Sequence, residues 1–125
     1  MKQAILITGG AGYIGSHTAY LMAQSGYEVI IIDSLEYRQN FDHKWATLIK
    51  GDFADKKILK SIFENYKITA VMHFAAFIEV GESVKNPLRF YENNVIKTIK
   101  LLKIMLEYGV KKIIFFIGYG TYIKD

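Results

Sequence analysis

The chain has 125 residues, 51% of them apolar, and a formal net charge of +4. That length suits one domain with a real core rather than two, and the apolar content excludes a disordered protein. Scattered lysines argue against nucleic acid as a partner, the lack of cysteine excludes disulfide and thiolate chemistry, and no apolar run approaches the ~18 residues of a membrane span.

The chain opens on Met1-Lys2-Gln3 and runs directly into an apolar segment, which leaves no room for a signal peptide and makes the cytoplasm the expected location. A first strand is predicted over about Ala4 to Thr8 and a first helix over about Tyr13 to Ser25, with Gly26 suited to a left-handed C-terminal cap. A second strand follows over Glu28 to Asp33, then a polar and aromatic loop over Ser34 to Lys44. A third, short strand covers Ala46 to Lys50 and closes on Gly51-Asp52. The second helix begins near Asp55, a good N-cap, and its apolar face is Ile58, Leu59, Ile62, Phe63 and Tyr66. The fourth strand spans about Ala70 to Phe74, and a loop with Gly81 and Pro87 follows.

The longest helix runs from about Pro87 to Tyr108, with proline in its first turn and Gly109 at its end. Leu88, Tyr91, Val95, Ile99, Leu102 and Leu106 form the stripe expected to face a sheet. Lys97, Lys100, Lys103 and Glu107 read as a solvated face. Leu101, Ile104 and Tyr108 make a second apolar patch, a candidate surface for a homodimer. A fifth strand is predicted over about Lys112 to Ile117. The strands are unbroken apolar runs, as expected when both faces of a sheet are covered. With right-handed crossovers this alternation gives a doubly wound, Rossmann-like parallel α/β sheet, about five strands in the order 3-2-1-4-5.

The stretch Thr8-Gly9-Gly10-Ala11-Gly12-Tyr13-Ile14-Gly15 stands where the first strand becomes the first helix. Gly9 permits a tight turn, Gly12 lets the backbone approach a phosphate, and Gly15 lets helix and strand pack closely. The first helical amides lack internal partners and carry the positive end of the helix dipole, so a pyrophosphate is the expected ligand. Asp33 ends the second strand 18 residues past Gly15, where a carboxylate accepts hydrogen bonds from an adenosine ribose.

These residues, with Gly51-Asp52, His73-Phe74-Ala75-Ala76, Val80-Gly81-Glu82-Ser83 and Tyr91-Glu92-Asn93-Asn94-Val95, make the chain resemble the nucleotide-sugar branch of the short-chain dehydrogenase/reductase family, and within it the 4-epimerases. The resemblance covers residues 1 to about 115. It implies NAD as cofactor, with Gly9, Gly12, Tyr13, Ile14 and Gly15 at the pyrophosphate and Asp33 at the ribose with Ser34 beside it. Asp52 and Phe53 would flank the adenine, Phe74, Ala75 and Ala76 would line the cofactor channel, and Asn93 would reach in from the long helix. The reaction implied is interconversion of UDP-glucose and UDP-galactose through a 4-keto sugar. Another nucleotide-sugar epimerase or dehydratase, and a non-catalytic dinucleotide-binding module, remain alternatives.

Two departures bear on catalysis. Gly118 falls where the family pattern has a serine or threonine, and glycine cannot donate a side-chain hydrogen bond. The one Tyr-x-x-x-Lys, Tyr108 to Lys112, is broken by Gly109, so its side chains are not expected to share a helical face. No catalytic residue is therefore assigned, and no substrate-binding half is present in residues 1–125, which read as an NAD-binding domain alone. The resemblance ends abruptly after Phe115, a break that suggests a shifted reading frame or an aberrant end.

Overall fold

The computed structural model describes residues 2–9, 13–34, 44–74 and 87–115. Strand β1 (Gln3–Thr8) leads to helix α1 (Tyr13–Gln24), β2 (Glu28–Asp33), β3 (Thr47–Lys50), α2 (Lys56–Asn65), β4 (Lys67–His73), α3 (Pro87–Glu107) and β5 (Ile113–Phe115). The strands make one parallel sheet in the order β3-β2-β1-β4-β5, as expected. Strand β1 is central, paired on one side with β2 and on the other with β4.

Neighbouring residues of a strand point to opposite faces, so a run such as Val29-Ile30-Ile31-Ile32 supplies two cores at once. Leu6, Ile30, Ile32 and Val71 join Leu59, Ile62 and Phe63 of α2 and Leu101, Ile104 and Met105 of α3. Ile5, Ile7, Val29, Ile31 and Met72 pack on the other face with Ala19 of α1. This two-sided burial is why the strands carry no polar alternation.

The helix ends follow from their sequence. Asp55 caps α2, its Oδ1 accepting from the amides of Lys57 at 2.9 Å and Ile58 at 3.2 Å. Gly26 and Gly109 have φ of +97° and +73°, the left-handed region that a side chain resists. Each closes a pair of bonds across the last turn. Tyr27 N donates to Met22 O and Gly26 N to Ala23 O; Val110 N donates to Met105 O and Gly109 N to Leu106 O.

Two expectations need correction. Strand β4 starts at Lys67 rather than Ala70, because Lys67 and Ile68 pair with Gln3 and Ala4 before the register shifts at Ile5. More consequentially, the stripe assigned to the sheet is the wrong one. Leu88, Val95, Ile99 and Leu106 are exposed, whereas Leu101, Ile104 and Met105 are buried; Leu102 is half-buried against the same core, and the side chain of Tyr91 lies outside the described residues. The last turns of α3 pack against α2 as well as the sheet, and that geometry selects the row containing Leu101 and Ile104. Tyr108 belongs to the same contact. Its ring stacks on Phe63 at 5.5 Å and its hydroxyl donates to Glu64 Oε2 at 2.7 Å. The patch expected to support a homodimer is thus interior packing.

Candidate functional site

In a parallel sheet all carboxyl ends open on one edge, and ligands bind there, where the strand order reverses. The reversal falls at β1, between β2 and β4. Register places Thr8 beside Ile32 and His73, Asp33 beside Lys50, and Phe115 beside His73 along this edge. Gly9 leaves β1 with φ of +72°, and its amide donates to Ile32 O at 2.9 Å. Helix α1 then begins at Tyr13; Ile14 is exposed in its first turn and Gly15 is buried. Gly12 lies outside the described residues.

Asp33 ends β2, half-buried, its carbonyl accepting from Gly51 N at 3.0 Å, and the exposed Ser34 follows. Asp52 continues from β3. Its Oδ1 accepts from Ala54 N at 2.8 Å and its Oδ2 takes the Lys97 ammonium at 3.0 Å. Partial burial raises the Asp52 carboxyl, but the Ala54 amide, Lys97 and Lys100 outweigh it and leave the group below the usual carboxylate range. Phe53 and Phe74 are buried, so their side chains serve the two cores and leave only main chain for a ligand at those positions. Phe74 N donates to Thr8 O at 2.9 Å. Ala75 and Ala76 lie outside the described residues, as does the side chain of Asn93 within α3.

Sequence reasoning passed over three residues. Lys97, grouped with the solvated lysines, instead reaches Asp52 and stands 6.0 Å over the Phe53 ring. His73 is fully buried at the tip of β4, with Nδ1 2.6 Å from Thr8 Oγ1 and Nε2 3.2 Å from Thr98 Oγ1. The rings of Phe53 and Phe115 meet it edge-on at 4.7 and 5.6 Å. Burial lowers the His73 pKa to about 4, so the ring is neutral near pH 7. A signal for Thr98 was available: it precedes Leu101 and Met105 by three and seven residues, the spacing of one helix face.

Tyr108 and Lys112 do not form a catalytic pair. The tyrosine follows directly on α3, the exposed lysine lies beyond the Gly109 turn, and the hydrogen bond to Glu64 pushes the phenol up to about 12, the wrong direction for a group that must give up a proton. Gly118 lies outside the described residues.

A parallel sheet in this order, with a glycine turn leaving its central strand at the reversal point, defines a Rossmann-like α/β protein. The chain belongs to the GDP-mannose 4,6 dehydratase family, which it matches over residues 6–121. It is 50% identical over 120 residues to the UDP-glucose 4-epimerase of Halalkalibacterium halodurans, a match covering 96% of this chain and 36% of that protein. Among solved structures, the Thermotoga maritima UDP-glucose 4-epimerase with UDP-glucose superimposes with a TM-score of 0.81 at 36% identity, over 90% of this chain and 37% of the other. The Brucella ovis UDP-glucose 4-epimerase in complex with NAD gives 0.76 at 39% identity, over 92% and 35%. The chain therefore spans little more than a third of the length of such relatives.

Proposed function

We propose that the chain is the NAD-binding portion of a UDP-glucose 4-epimerase-like protein, residues 1–125 forming its cofactor-binding domain. One juxtaposition carries the reading: a glycine turn and helix start at the end of β1, with Asp33 at the tip of the neighbouring β2. The relatives solved with NAD and with UDP-glucose support it.

The residues suit a dinucleotide. Gly9 has a positive φ at the reversal point, and α1 begins at Tyr13, where the first-turn amides of a helix have no intrahelical partner and the dipole end is positive. Those amides, at Tyr13, Ile14 and Gly15, would hold the pyrophosphate once Gly12 has let the backbone come close. Asp33 would accept from the ribose hydroxyls beside Ser34. Asp52, Phe53, Phe74, Ala75, Ala76 and Asn93 would line the adenine end and the channel, the two phenylalanines through main chain. When bound, NAD supplies the acceptor for a hydride. This chain's share is to bind and orient; its Tyr108 is committed to Glu64 and moves no substrate proton. UDP-sugar would be handled by a full-length relative. No helix among the described residues is long and apolar enough to cross a membrane, and the cytoplasm, where nucleotide sugars are charged metabolites, is the proposed location.

The test is a titration of NAD and NADP against wild type and Asp33→Ala. The Asp33 charge repels a 2′-phosphate, so wild type prefers NAD, and the variant loses about 1.5–3 kcal/mol of NAD affinity. Equal affinity of wild type for both cofactors would remove the ribose assignment.

A further inference from the structure

Two polar residues, Thr8 and His73, are buried among the described ones, and they face each other across β1 and β4 at the end of the sheet. A buried imidazole is costly without partners, and an apolar side chain would fill the same space. Both ring nitrogens are used: one meets Thr8, the residue immediately before the glycine turn, and the other meets Thr98 in the middle of α3. The edges of Phe53 and Phe115 limit how the ring can turn.

We propose that His73 is a positioning residue for the glycine turn, fixing the end of β1 relative to α3 through its two ring nitrogens. The inference rests on the NAD-binding reading for its consequence, though not for its geometry. Thr8 and Gly9 are held from both sides: His73 grips the Thr8 hydroxyl, Phe74 N binds the Thr8 carbonyl, and Gly9 N binds Ile32 O. A neutral imidazole has one donor and one acceptor, and a hydroxyl can answer either, so the Thr8–His73–Thr98 chain is satisfied in either tautomer. The neighbouring residue of α3 acts in parallel, Lys97 holding the carboxylate of Asp52 beyond β3. Consecutive residues 97 and 98 thereby connect one helix to two strand tips, those expected to meet the adenine and the pyrophosphate. The position of α3 is read out at the cofactor site.

The test uses Thr98→Val, which removes a hydroxyl while keeping shape, Thr98→Ser, which restores it, and His73→Phe, which keeps a ring and loses both hydrogen bonds. Hydrogen exchange at the Gly9 amide is followed in the NAD-free protein, with the Val71 amide, bonded to Lys112 O at 3.0 Å, as an internal control. Loss of a hydrogen bond of ordinary strength predicts roughly two- to tenfold faster exchange at Gly9 in Thr98→Val and His73→Phe, an unchanged Val71, and recovery in Thr98→Ser. NAD affinity should fall by a similar factor and recover in the same variant. Gly9 exchange that stays unchanged in both Thr98→Val and His73→Phe, or that quickens together with Val71, overturns the positioning role. Wild type that fails to bind NAD overturns the functional reading instead, and the exchange result still decides the role of His73.

Discussion

Helix α3 carries two rows of apolar side chains, and they have opposite fates. Leu101, Ile104 and Met105 are at most 4% exposed, whereas Leu88, Val95, Ile99 and Leu106 are 45–71% exposed. Composition does not separate them, since both rows are built from large aliphatic residues. Neighbours do: the first row joins Leu59, Ile62 and Phe63 of α2 and Val71 of the sheet in one core, while the second stays exposed. An amphipathic pattern reports that a helix has an apolar face. When it has two, the partner surface decides which one is interior.

The sharpest way to break this comparison is to empty the buried row. Leu101→Ala should cost about 2–5 kcal/mol in a denaturant titration, the usual range for a leucine removed from a packed core. A loss below ~1 kcal/mol would mean that the row is not interior. Next is acid. Thr98, beside the buried row, receives His73, whose pKa falls from 6.5 in the unfolded chain to about 4 on burial. Between those values the unfolded chain binds the additional proton, so stability is complete above pH 6.5 and declines as pH falls towards 4, by about 3 kcal/mol at most. Midpoints measured from pH 7 to 4 should show this decline, and it should shrink in His73→Phe. The smallest effect belongs to the exposed row: Leu106→Lys should change stability by no more than ~0.5 kcal/mol. A loss comparable to that of Leu101→Ala would merge the two rows.

Much of the architecture was legible because local signals agreed. Apolar runs at Ile5-Leu6-Ile7 and Val29 to Ile32, Asp55 before α2, and Gly26 and Gly109 after their helices each have a short-range physical cause, and the strand order follows from handedness. The placement of Gly9 and Asp33 at the carboxyl ends of β1 and β2 was legible to the same depth. What escaped depends on distant partners. Lys97 looks like its neighbours Lys100 and Lys103 until Asp52 is brought to it, and His73 has an ordinary place in a strand until Thr8 and Thr98 close on its two nitrogens. The choice of α3 face failed for the same reason. Such contacts span 25 to 65 residues of chain and leave no periodic trace.

The central position of β1 has a consequence for how the protein is made. Its partner β2 leaves the ribosome almost at once, but β4, on its other side, lies 65 residues further along between Thr8 and His73. At ~5–20 residues per second, β1 waits about 3–13 s during synthesis with one row of backbone donors and acceptors uncovered. That interval is far longer than loop closure or hairpin formation requires, so elongation rather than chain diffusion sets when the sheet can close. Codon usage between β2 and β4 is thus a lever on how long the nascent strand offers an edge to other chains, and on how much it needs a chaperone meanwhile.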